Sequence, residues 1–120
     1  MEKVKIHFRM AIKSENETVF ETVGNLIASK LFFEDNENFR YIIEYSDNFV
    51  RIERIGLSTM KLILKKGLPS EGHFITQGLS FPFTVMTRDI LLKNQELSLS
   101  YDMLDNDRVV THHEMNLKWI

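Results

Sequence analysis

The chain has 120 residues, of which 43% are hydrophobic and 27% charged, and its formal net charge is −2. These values fit one domain over residues 1–120 and argue against nucleic-acid and membrane partners, since there is neither a strongly basic balance nor a run of about 20 apolar residues. The absence of cysteine excludes disulfides, thiolate nucleophiles and cysteine-bound zinc, and it favours a reducing, cytoplasmic environment.

The first predicted element is a strand from Val4 to Ile12, in which apolar and polar residues alternate. Successive side chains point to opposite faces in a strand, so this spacing predicts a half-buried one. Ser14 to Glu17 follows as a predicted polar turn.

The segment from Thr18 to Ala28 is ambiguous. Its apolar residues have helical spacing, and Ser14 to Glu17 could form a capping box. Several β-branched residues and the central Gly24 argue for a strand instead. We favour a strand kinked at Gly24, although the sequence does not decide between strand and helix for residues 17–30.

Short alternating runs bounded by turn residues occupy the rest of the chain. Pro69 and two glycines predict a loop from Gly67 to Gly72, Pro82 predicts a sheet edge or a strand start, and residues 88–93 follow as a variable stretch. The predicted strands are Leu31–Glu34, Phe39–Tyr45, Phe49–Ile55, Thr59–Lys65, His73–Thr76, Phe81–Thr87 and a final hairpin of Gln95–Met103 with Arg108–Ile120.

Together these elements predict an all-β domain of about eight to ten short antiparallel strands. So many strands in a small domain must hide their edges by closing into a barrel or stacking as a sandwich. The connections are tight and sequential, which favours an up-and-down barrel.

Aromatic residues are the main candidates for the barrel interior. We expect five of them to point inward, where they either line a cavity for one small ligand or form a packed core. These residues are Phe8, Tyr41, Phe83, Tyr101 and Trp119.

Arg54 is the most unusual residue of its strand. It shares a face with Val50 and Ile52, so we expect it to point into the barrel near one mouth. A buried guanidinium needs a carboxylate or an aromatic face, and Trp119 is one candidate. Arg54 is then either a structural plug or an anion hook for a carboxylate or phosphate.

Other chemistry is weakly indicated. His112 and Glu114 share a strand face about 7 Å apart, but no spacing aligns a third ligand, so we expect no metal. Asp105 and Asp107 fit turn chemistry rather than a calcium loop. The sequence shows no motif for a nucleophile–base pair or a phosphate-binding loop, so we predict no catalytic residues and no cofactor.

Three segments, in this order, resemble the YwiB-like family, a bacterial family of unknown function. They are Arg54-Ile55-Gly56, then Phe81 to Thr87, then Leu97 to Met103 with Tyr101 and Asp102. The resemblance implies a cytoplasmic barrel of the lipocalin-like (calycin) kind and little about activity.

Three functions remain open on this fold. The leading hypothesis is non-enzymatic binding of a small, partly apolar or amphipathic ligand by Arg54, Tyr101 and the inward aromatic residues. The second is a filled barrel that acts as an interaction module or homodimer through an edge strand, either Phe81–Thr87 or the last strand. The third is an enzyme at the barrel mouth that uses Arg54, Tyr101 or His113.

Overall fold

Ten β-strands make up all the regular structure of residues 2–13 and 17–120, which are the residues that the computed structural model describes. The predicted turn and capping box at 14–17 fall largely outside this described part. The strands are β1 Glu2–Ile12, β2 Glu17–Ile27, β3 Lys30–Glu34, β4 Arg40–Tyr45, β5 Phe49–Ile55, β6 Ser58–Lys65, β7 Pro69–Thr76, β8 Leu79–Lys93, β9 Glu96–Asp105 and β10 Arg108–Trp119.

Each strand pairs with the next one along the chain, and β1 also pairs with β10, which closes the sheet into a barrel. All of these pairings are antiparallel, with Ile6 opposite Trp119 and Phe8 opposite Leu117 at the closing pair. The prediction of an all-β, up-and-down antiparallel barrel is therefore confirmed, with ten strands in the described part of the chain.

Residues 17–27 form a strand, so the helical alternative for this segment is wrong. β2 pairs with β3 only over Asn25–Ile27, immediately after the predicted kink at Gly24. A Cβ atom on Gly24 would lie 2.5 Å from the carbonyl oxygen of Phe32, so glycine permits this close backbone approach.

The predicted loop at Gly67–Gly72 is wrong over most of its length, because β7 begins at Pro69. Proline is tolerated at the first residue of a strand, where no ladder N–H is needed. Gly72 lies opposite Phe83, whose ring occupies the space that a side chain at position 72 would take. Pro69 and Gly72, residue types that are common in loops, are therefore both accommodated within β7.

The variable stretch predicted after Thr87 is also wrong, because β8 continues to Lys93. A register shift between Thr87 and Asp89 places a bulge at this point. Pro82 lies near the start of β8, where Leu79 to Phe83 pair with β7 alone, as expected for a local edge.

Packed side chains and a cavity occupy different halves of the barrel interior. The half that contains the start of β1 and the end of β10 is filled by buried aliphatic residues and Trp119. Its buried aliphatic side chains include Val4, Ile6, Leu31, Ile43, Val50, Leu64, Leu97 and Leu117.

No helix within the described part of the chain is long and apolar enough to span a membrane.

Candidate functional site

A cavity of about 270 Å³ lies inside the barrel at the end where β4 begins and β5 ends. Exposed residues of the β3–β4 loop and Thr18 form its rim, and strand residues form its walls. The lining residues are Phe8, Met10, Ile12, Thr18, Phe20, Asp35, Asn36, Glu37, Tyr41, Ile52, Arg54, Met60, Leu62, Tyr101, Met103, His113 and Met115.

Methionine is unusually frequent in this lining: four of the six methionines of the chain contribute to it. They are Met10, Met60, Met103 and Met115, on β1, β6, β9 and β10. Methionine is unbranched and adapts its rotamers to the shape of a contact. The apolar wall can therefore adjust to a ligand without moving the strands.

Arg54, Tyr41 and Asp35 form a connected polar group on one wall of the cavity. Arg54 Nε donates a hydrogen bond to the Tyr41 hydroxyl at 3.2 Å, and this hydroxyl donates to Asp35 Oδ2 at 3.1 Å. Asp35 Oδ1 accepts from the backbone amides of Glu37 and Phe39 at 2.8 and 3.0 Å. Burial raises the pKa of Tyr41 to about 12, although Arg54 favours its ionised form, so the phenol is neutral at neutral pH.

Arg54 points inward as expected, but its aromatic partner is not Trp119. The guanidinium carbon lies 3.6 Å from the ring centroid of Phe39, whereas the ring of Trp119 packs against Tyr45 near the opposite end of the barrel. The stacking on Trp119 proposed from the sequence is therefore wrong. The sequence places Phe39 at the start of the predicted strand Phe39–Tyr45, one residue before the observed β4, but contains no signal that pairs its ring with Arg54.

His113 and Tyr101 lie across the cavity on β10 and β9, opposite each other in the register. Their rings stack with centroids 4.9 Å apart, and His113 Nε2 is hydrogen-bonded to the Thr111 hydroxyl at 2.7 Å. His113 Nδ1 is buried without a partner among the described residues. Burial lowers the pKa of His113 and raises that of Tyr101, so both side chains are neutral at neutral pH.

Four of the six ligand-binding residues predicted from the sequence lie together in this cavity. They are Phe8, Tyr41, Arg54 and Tyr101. Trp119 is buried at the other end, and Phe83 is half-buried over Gly72, so the structure does not bring these two to the cavity. This cavity is also lined by the three residues considered for an enzyme at the barrel mouth, which are Arg54, Tyr101 and His113.

A second polar cluster lies on the outer wall around Asp102. Arg88 Nε and Nη2 both donate to Asp102 Oδ2 at 2.7 Å, and His112 Nδ1 donates to Oδ1 at 2.6 Å. Burial alone would raise the pKa of Asp102, but these hydrogen bonds outweigh it and the pKa lies below its ordinary value. The bulge in β8 at Arg88, which no residue pattern revealed, lies beside this carboxylate.

Histidines and carboxylates form pairs rather than a metal centre. His112 Nε2 lies 3.7 Å from Glu114, as their shared face predicts, while His7 pairs with Glu21. Within residues 2–13 and 17–120, no group of three His, Asp or Glu side chains has the proximity that a metal ion needs.

Comparisons with known proteins point to a family and to a fold. A family model described as a domain of unknown function, DUF1934, matches residues 4–117. The chain is also similar to the crystal structure of the ywiB protein from Bacillus subtilis, with a TM-score of 0.72 and 20% identity over 98% of this chain and 89% of that one. At this identity the likeness supports the fold alone. No curated protein matches the sequence.

Proposed function

Since the chain belongs to the DUF1934 family, which is described as a domain of unknown function, we propose a function from the cavity: the protein binds one small, partly apolar ligand inside its barrel. The resemblance to the YwiB-like family noted in the sequence is confirmed by the family match, and the likeness to the ywiB protein confirms the barrel fold. A cytoplasmic location and the lipocalin-like assignment are further parts of this proposal.

The observation that carries the proposal is the composition of the cavity wall. Most lining residues are aliphatic, aromatic or methionine, and a few polar groups converge on the same space, among them Arg54, Tyr41 and His113. Ligand sites are typically concave and apolar with a few orienting polar groups, at volumes of roughly 300–1,000 Å³. At about 270 Å³, this cavity suits a ligand of modest size.

Binding without chemistry fits the polar groups better than catalysis does. Tyr41 and Tyr101 are kept protonated by burial, and His113 hydrogen-bonds Thr111 rather than a carboxylate that would orient it as a general base. These groups can hydrogen-bond a ligand and fix its orientation.

The alternative of partner binding through an edge strand has less support. β10 is paired with both β1 and β9 from His113 to Lys118, so the last strand is not a free edge there. The free part of β8, Leu79–Phe83, is short and contains Pro82, which lacks an N–H group for a partner strand.

Native mass spectrometry of protein purified without denaturation tests the proposal. We expect a non-covalent adduct on the wild-type chain and its loss in Met103→Trp, because indole would fill the cavity. Met86→Trp, on the outer face of the neighbouring strand, is the matched control and should retain the adduct. A bare polypeptide mass, together with failure of added apolar compounds to bind, would refute the proposed function.

A further inference from the structure

The cavity holds a surplus of hydrogen-bond donors at Arg54. Within residues 2–13 and 17–120, Nε donates to the Tyr41 hydroxyl, and the two terminal amino groups have no acceptor. The guanidinium is half-buried and lines the cavity. A planar guanidinium with free terminal amines can bind a carboxylate with two parallel hydrogen bonds.

Asp35, the carboxylate connected to Arg54 through Tyr41, already accepts hydrogen bonds from its own surroundings. Both oxygens of Asp35 accept hydrogen bonds, two from backbone amides and one from the Tyr41 hydroxyl. This network stabilises the carboxylate internally and leaves the terminal amino groups of Arg54 as unpaired donors on this wall. The ligand must therefore supply an acceptor rather than a donor at this wall.

We propose that the ligand is an amphipathic carboxylate, with its anionic head on the terminal amines of Arg54 and its apolar body among the methionine and aromatic side chains. This inference rests on the proposed function and adds the chemical class of the ligand. The stacking of the guanidinium on Phe39 and its bond to Tyr41 fix the orientation of the head site before a ligand binds.

The apolar body has a continuous surface to pack against. The rings of Phe8 and Phe20 stack with centroids 4.6 Å apart, and that of Phe8 lies 5.5 Å from that of Tyr41. These rings therefore connect the head site at Tyr41 and Arg54 to the methionine-lined wall. A straight aliphatic chain fits this surface because methionine adapts to its contour.

Three compounds that share an eight-carbon chain and differ in their polar head group test the inference: octanoate, octan-1-ol and octylamine. Each is titrated calorimetrically into the full chain. We expect octanoate to bind about tenfold or more tightly than octan-1-ol, because its head forms charge-assisted hydrogen bonds. Equal affinities for octanoate and octan-1-ol would overturn the inference and leave the proposed function standing. Tighter binding of octylamine would also overturn it, and failure of all three to bind would count against both proposals.

Variants of two arginines on the same strand locate the head site. Arg54→Gln should reduce octanoate affinity about tenfold and leave that of octan-1-ol unchanged. Arg51→Gln, at an exposed position outside the barrel, should change neither affinity. If Arg54→Gln fails to fold by circular dichroism, the comparison of heads on the wild-type chain still decides the question. Equal losses in the two variants would overturn the assignment of Arg54.

Discussion

The guanidinium of Arg54 lies 3.6 Å above the ring centroid of Phe39, and this contact depends on the absence of a side chain at Gly56. A Cβ atom there would lie 2.5 Å from Phe39 Cδ1. The Arg54-Ile55-Gly56 sequence therefore has a physical explanation: glycine provides space for the ring, and the ring supports the arginine. A cation above an aromatic face is worth about 0.5–2 kcal/mol, depending on its exposure to water.

Gly56→Ala should destabilise the protein by about 1–3 kcal/mol, because the methyl group displaces the Phe39 ring in a packed site. Urea denaturation would measure this loss. Adding Phe39→Leu to Gly56→Ala should recover part of it, since the smaller side chain leaves room for the methyl group. If Gly56→Ala alone is as stable as wild type, the proposed packing at this position is wrong.

Alkaline pH should destabilise the fold through its tyrosines. Burial raises the pKa of Tyr41 to about 12 and raises those of Tyr45 and Tyr101 as well, whereas all three ionise near 10 when unfolded. A folded pKa above the unfolded value means that the contribution of these tyrosines to stability is complete below about pH 10 and decreases as pH rises toward 12. Urea denaturation across this range should show the loss.

Tyr41→Phe separates the contribution of Tyr41 to this alkaline loss of stability from those of the other two tyrosines. It should reduce the alkaline loss of stability, while at neutral pH it costs about 1–3 kcal/mol because Asp35 Oδ2 and Arg54 Nε lose their partner. An unchanged alkaline profile in Tyr41→Phe would show that Tyr41 does not contribute to it.

Strand positions were predictable wherever alternation was uninterrupted. The segment Val4–Ile12 alternates and lies within β1. The segment Phe49–Ile55 matches β5, although Arg54 interrupts its apolar face. The hairpin after β9 was predictable because Asn106 tolerates the left-handed backbone, and its φ is 50°. Prediction failed at Pro69 and Gly72, where residues that usually break strands are accommodated by a strand start and a facing ring.

The candidate site was predictable only in part. Inward faces follow from alternation, which is why Tyr41, Arg54 and Tyr101 were identified. Which inward residues meet depends on register between distant strands, so Trp119 was expected beside Arg54 but lies against Tyr45. The bulge beside Arg88 has no local signal, so its contact with Asp102 was not foreseen.

Mild acid should destabilise the protein through His113. Burial lowers the pKa of His113 below its ordinary value of 6.5, with a smaller effect of the same sign from His112 and an opposite one from Asp102. The unfolded chain binds this proton more readily, so stability decreases as pH falls below about 6.5. His113→Phe should flatten this decrease, while His73→Phe, at a half-exposed position of β7, should not. Chemical denaturation between pH 5 and 8 measures both, and matching slopes for wild type and His113→Phe would contradict the prediction.

Stronger acid should destabilise the protein through Asp102, a residue that is 2% exposed and whose carboxylate is bound by Arg88 and His112. Its pKa is lowered in the fold, so its contribution is present above the unfolded value of 3.8 and is lost as pH falls below it. Asp102→Asn should cost about 1–3 kcal/mol at neutral pH, since it removes the negative charge that strengthens the hydrogen bonds from Arg88 and His112. It should also reduce the loss of stability in acid. Asp47→Asn, at an exposed position after β4, should change neither quantity in urea denaturation at pH 2–7. If the stability of Asp102→Asn decreases in acid as steeply as that of the wild type, another carboxylate is responsible for the decrease.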